Sequence, residues 1–261
     1  MKERKVVAII QGRMSSSRLP GKVLLDLGGQ PMLARVISRV RRARSIDEIM
    51  VATTTDPSDD PIADWCEANQ INCCRGDLYD VLDRYYQAAK LARADVVVRI
   101  TADCPMIDPK EIDRVVRAFF ADGADFAANR LPPPFKRTSP VGMDTEVSSF
   151  EALERAWQEA TLPFEREHVM PYLYDEPGRF RVKLVNHRPS LAHLRYTVDT
   201  PEDLQLAREV YAYFDNQDTF SLSDLLKANA LHPAWQERVA AVQHKVLQDV
   251  DARMTERVKH D

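Results

Sequence analysis

Residues 11–22 read Gln-Gly-Arg-Met-Ser-Ser-Ser-Arg-Leu-Pro-Gly-Lys, directly behind the apolar run Val-Val-Ala-Ile-Ile at 6–10. Small residues let a backbone approach a phosphate closely, and its N–H groups can then donate to anionic oxygens. Arg13, Arg18 and Lys22 add fixed positive charge. The combination describes a cradle for a polyphosphate. It matches neither common phosphate loop. The Walker pattern lacks its earlier glycine and meets Val23 where Ser or Thr belongs, and G-x-G-x-x-G is absent. The competing reading is a surface loop with scattered charges.

A nucleoside triphosphate needs a divalent metal, and magnesium prefers carboxylate oxygens with water completing its octahedron. Asp103 stands in Thr-Ala-Asp-Cys-Pro and Asp199 in Val-Asp-Thr-Pro-Glu-Asp, each where an expected strand stops and the next helix has not begun. The pair is the candidate magnesium site. Each aspartate could instead cap a proline-started helix or close an Asx turn. A third patch, Arg-Gly-Asp-Leu-Tyr-Asp-Val-Leu-Asp-Arg at 75–84, offers Asp77 as a helix cap, with Asp80, Asp83 and Arg84 on the first turns. Its bland reading is a capped helix with surface charges.

The elements that must position these groups alternate in type. Strands are expected at 6–10, 49–53, 71–74, 95–101, 124–128, 143–147, 179–185 and 196–198. Helices are expected from Pro31 to about 40, then at 61–69, 78–92, 109–120 with Asp108 as cap, 150–159, 165–174, 201–214 and 233–259. Such βαβα alternation argues for a three-layer α/β/α fold around a mostly parallel sheet. In that sheet the loop, Asp103 and Asp199 project to one edge, where open α/β sheets bind ligands. The Pro-rich stretch at 131–140 reads as an excursion or lid within a single domain at 1–261, the excursion reaching from about 130 to 190. A helical tail is expected at about 221–261. Arg35, Arg39, Arg41, Arg42 and Arg44 crowd the first helix and its end and read as a solvated face rather than a nucleic-acid patch.

Composition narrows the classes. A net charge of −4 gives no basic field for nucleic acid. No apolar segment approaches the roughly 20 residues that span a bilayer. The short apolar run after the charged N-terminus does not read as a signal peptide, so a cytoplasmic location is expected. Cys66, Cys73, Cys74 and Cys104 fit no zinc spacing and read as thiols in a reducing compartment.

These patches together resemble the cytidylyltransferases that make CMP-activated acidic sugars. The family match lies in Gly-Arg-Met-Ser-Ser-Ser-Arg-Leu-Pro-Gly-Lys-Val-Leu at 12–24 and Thr-Ala-Asp-Cys-Pro-Met-Ile-Asp at 101–108. The nearest look is the spore-coat polysaccharide biosynthesis F type, which adds Asp-Val-Leu-Asp-Arg-Tyr-Tyr at 80–86, Glu-His-Val-Met-Pro-Tyr at 167–172 and Arg-Tyr-Thr-Val-Asp-Thr-Pro-Glu-Asp at 195–203. The family also holds the CMP-3-deoxy-manno-octulosonate and CMP-acylneuraminate synthetases. Gly12 departs from the family's frequent Ala.

The resemblance implies a Rossmann-like sheet of the nucleotide-diphospho-sugar transferase type, with a small excursion for dimerisation. It implies CTP, a small acidic sugar as acceptor, magnesium as cofactor, a homodimer and a role in surface polysaccharide synthesis. Gln11, Gly12, Arg13, Met14, Ser15, Ser16, Ser17 and Lys22 would hold the triphosphate. Thr53, Arg75, Asp83, Arg84, Thr101 and Ala102 would lie near the nucleotide. Glu146, Glu167, His168 and Arg195 would face the acceptor. The catalytic set would be Arg13, Lys22, Asp103 and Asp199. Three alternatives stay open. A sugar-1-phosphate nucleotidyltransferase more often carries G-x-G-T-R, and a metal-dependent glycosyltransferase favours an Asp-x-Asp pair. The third is a non-catalytic nucleotide-binding subunit.

Overall fold

In a computed structural model that describes residues 4–242, seven strands form one sheet. They are β1 (Val6–Gln11), β2 (Glu48–Thr54), β3 (Asn72–Gly76), β4 (Val96–Thr101), β5 (Phe126–Ala128), β6 (Glu146–Ser149) and β7 (Val182–Leu184). The order across the sheet is β3-β2-β1-β4-β6-β5-β7. Every pairing is parallel except those of β6, which runs antiparallel to β4 and β5.

The central strands are apolar on both faces because helices cover both. Val6, Ala8 and Ile10 face one core with α1 (Met32–Val40), α4 (Pro109–Ala121), α8 (Pro201–Tyr213) and α9 (Leu222–Leu231). Val7 and Ile9 face the other with α3 (Val81–Leu91), α5 (Phe150–Glu159) and α7 (Pro171–Tyr174). The expected three-layer arrangement is therefore present, with α2 (Asp60–Ala68), α6 (Pro163–His168) and α10 (Ala234–Val239) completing the helices.

Several expectations need correction. The strands of the excursion are not accessory: β6 inserts between β4 and β5, and β7 extends the same sheet. The helix expected at 165–174 is two helices, α6 and α7, because Val169 adopts φ 73° and Pro171 cannot continue a helix. Residues 196–198 form no strand. They run extended, tied by Tyr196 N–H to Val141 O and by Val198 N–H to Asp103 O. The cap of α3 is Asp80, whose carboxylate accepts from Asp83 N–H, while Asp77 closes the preceding turn. Asp108 caps α4 as expected. The tail helix begins as α10, and its continuation past 242 lies outside the described residues.

Of the arginines expected as a solvated face, Arg41, Arg42 and Arg44 are exposed, but Arg35 and Arg39 are buried. Arg39 is 0% exposed and donates to the carbonyls of Ile107, Asp218 and Phe220. Arg35 is buried and bonds the carbonyls of Leu27, Gly28 and Asn216. The long fork of Arg satisfies several carbonyls of an irregular turn at once, which an apolar residue could not. These two side chains pin the 216–220 turn against α1. No helix among the described residues is long and apolar enough to cross a membrane.

Candidate active site

The loop after β1 begins with a backbone tether, Gly12 N–H to Ala52 O at 3.1 Å. Space is tight at Gly12, where a Cβ would sit 3.0 Å from the Ala102 methyl. Met14 is the loop's hub. Its carbonyl accepts from Ser16 N–H and Gly21 N–H, both at 2.8 Å, and its own N–H donates to Asp59 at 2.6 Å. Those three N–H groups are therefore used inside the protein rather than offered to a phosphate. Ser15 Oγ is buried without a hydrogen-bond partner.

At the loop's end, Lys22 is 8% exposed. Its Nζ donates to Asp103 Oδ2 at 2.8 Å, Asp199 Oδ1 at 2.9 Å and Val198 O at 2.9 Å. Three motifs far apart in sequence thus meet on one ammonium. Neither aspartate caps a helix. Asp103 sits five residues before the α4 cap and accepts from Thr101 Oγ1 at 2.6 Å. The cap of α8 is Thr200, which forms a reciprocal box with Asp203. Asp199 is left to Lys22, to Arg18 at 3.1 Å and to Arg195 at 3.0 Å.

The charges reinforce one another. Burial alone would raise the Asp103 carboxyl, but the Lys22 charge and hydrogen bond outweigh it and hold the group at about 2. Burial likewise pulls Lys22 down, and the two carboxylates more than reverse this. Both ions are fully charged at neutral pH. The adjacent Cys104 thiol is pushed well up by burial and by Asp103, so it stays neutral.

Residues 7–231 match the sequence profile of the family described as cytidylyltransferase. The chain belongs to the cytidylyltransferase family. This cytidylyltransferase is 30% identical over 236 residues to the spore coat polysaccharide biosynthesis protein SpsF of Bacillus subtilis, covering 85% of this chain and 92% of that one. It is 33% identical over 245 residues to a 3-deoxy-manno-octulosonate cytidylyltransferase of Anaeromyxobacter sp. (strain Fw109-5), covering 80% and 98%. Among solved structures, a cytidylyltransferase from Leptospira borgpetersenii serovar Hardjo-bovis superposes with a TM-score of 0.83 at 31% identity, covering 94% of this chain and all of that one. The fold and the nucleotidyltransferase class follow.

Other candidate residues of the cytidylyltransferase divide into two groups. Gln11, Arg13, Arg84, Arg99, Glu167 and His168 line one cavity of about 180 Å³ beside the loop. Arg84 is buried there; burial and the nearby charge of Arg13 lower its pKa. The second group makes bonds within the protein. Asp83 accepts from Trp157 Nε1 at 2.8 Å, turned toward α5. Arg75 is tied to Thr54 O and to Asp60 at 2.6 Å. Thr53 is wholly buried within β2. Thr101 and Ala102 position Asp103 and the end of β1, the latter through Ala102 N–H to Gln11 O.

Glu146 is buried and paired with Arg99, which lines the cavity. Arg195, also buried, is clamped by Asp203 at 2.6 Å and holds Asp199. Asp203 and Arg99 escaped the sequence reading. The Thr-x-x-Asp spacing at 200–203 was a legible signal for the first; Arg99 had none, lying inside an apolar strand.

A far larger depression, about 1570 Å³, lies at the opposite edge, lined by residues that precede strands, among them Asp47, Asp125 and Arg181. Its lining includes neither the loop residues nor Asp103 or Asp199, and parallel sheets place ligands at the carboxyl ends of strands.

Proposed function

We propose that this cytidylyltransferase transfers CMP from CTP to a hydroxyl of an acidic sugar, of the 2-keto-3-deoxy acid type, with release of pyrophosphate. The observation that carries this reading is the single Lys22 ammonium joining Asp103 and Asp199 at the end of the Ser-rich loop. The acceptor hydroxyl attacks the α-phosphorus and loses its proton, the bond to the bridging oxygen breaks, and pyrophosphate leaves. Such transfers rest on in-line positioning and charge stabilisation, so no covalent nucleophile is assigned. Lys22 and Arg13 offset the charge of the leaving pyrophosphate. Arg195 and Arg18 hold Asp199 in place.

The donor set suits magnesium. Two carboxylates would leave positions around the ion for water and phosphate oxygens. When bound, the ion neutralises phosphate charge and lowers the pKa of the acceptor hydroxyl. Asp103 and Asp199 would be its protein ligands.

The acidic-sugar acceptor and the polysaccharide role are supported by the names of the two relatives above. We further propose a cytoplasmic homodimer; a monomer by light scattering at working concentration would refute the dimer. The chemistry is tested by pyrophosphate release with magnesium, each of the four ribonucleoside triphosphates and a panel of acidic sugars. Release with CTP and one acid is expected. Release with a neutral sugar phosphate instead would contradict the acceptor class.

A further inference from the structure

Asp59 belongs to none of the motifs that signal a nucleotide site, yet it is 1% exposed directly against the loop. One carboxylate oxygen accepts the Met14 N–H at 2.6 Å; the other accepts the Thr54 N–H at 3.3 Å and the Thr54 hydroxyl. A single buried anion therefore joins the loop after β1 to the end of β2. Because the Met14 carbonyl collects Ser16 N–H and Gly21 N–H, fixing the Met14 peptide fixes both limbs of the turn.

We propose that Asp59 is the positioning residue of the phosphate loop, setting the conformation in which residues 15–18 meet the triphosphate. The proposal rests on the nucleotide reading of that loop. A carboxylate suits the post. It faces backbone N–H donors on both sides, and an amide would turn its NH₂ toward one of them, donor against donor. Its buried negative charge also lies near Arg84, where it opposes the repulsion from Arg13. The next residue, Asp60, fastens Arg75 at 2.6 Å, so consecutive aspartates tie the loop on one side and the end of β3 on the other.

The test compares D59N with T54V. Both disturb the buried junction at the end of β2, but only D59N weakens the bond to Met14. Amide hydrogen exchange in the 11–24 segment should accelerate about tenfold or more in D59N, while α2 stays protected. The Kd for CTP with magnesium should rise about tenfold in D59N and change by less than about twofold in T54V. Unchanged loop exchange in a folded D59N would overturn the proposal. So would faster exchange with an unaltered Kd, or a T54V whose Kd rises as far. The exchange measurement needs no nucleotide, so a failed clamp and a failed nucleotide site give different results.

Discussion

At Lys22 one ammonium satisfies Asp103, Asp199 and the Val198 carbonyl while almost wholly buried. The pair with Asp103 has a definite pH signature. The folded pKa of Asp103 is about 2, below the roughly 3.9 of an unfolded aspartate. Its ionised form therefore stabilises the fold above that unfolded value, and the contribution is lost as pH falls toward 2. In K22Q the burial that raises the Asp103 carboxyl loses its main opponent, and the loss must occur at higher pH. Acid unfolding followed by circular dichroism should shift upward by about one pH unit in K22Q. Coincident curves would mean that the pair does not govern Asp103. These residue types were legible in the sequence as a phosphate cradle and two isolated acids. That one lysine joins all three was not, because their separation in sequence says nothing of contact.

At the scale of elements, local pattern served well where a strand is buried on both faces or a helix has a polar cap. Continuous apolar runs marked β1 and β4, and Asp108 before Pro109 marked α4. Pattern failed where tertiary contact outranks it. The 195–198 segment has a strand's composition, but it lies beside Val141 instead of entering the sheet. Gly142 permits this approach: at φ +93° it places the site of a Cβ 2.5 Å from the Tyr196 backbone. The α1 arginines failed the same way, since charge predicts exposure unless carbonyls of a distant turn supply partners. Removing Arg39 should orphan two buried carbonyls, those of Ile107 and Phe220, since the Asp218 carbonyl keeps Arg42. R39A is therefore expected to lose about 3–5 kcal/mol in urea unfolding, and the exposed R42A less than about 1 kcal/mol. Equal losses would show that Arg39 is not the pin.

For the whole molecule, parallel strands explain why the site exists at one edge. Gln11 and Thr101 end β1 and β4 side by side in register, which brings the Ser-rich loop and Asp103 together. Asp199 reaches them from beyond the sheet, delivered by the extended segment and locked by Arg195 and Asp203. The sheet's sense was legible from alternating elements. The antiparallel insertion of β6 was not, because a four-residue strand carries no sign of its direction or neighbours. Family membership fixes the cytidylyltransferase class, and the geometry proposes which residues act.

The most direct test of that proposal follows the α-phosphate label of CTP into the sugar product in the wild type and in D103N, with the melting temperature of each recorded. Label is expected in the wild-type product, with a loss of about a hundredfold or more in D103N at a retained fold. A folded D103N that transfers label at the wild-type rate would contradict it.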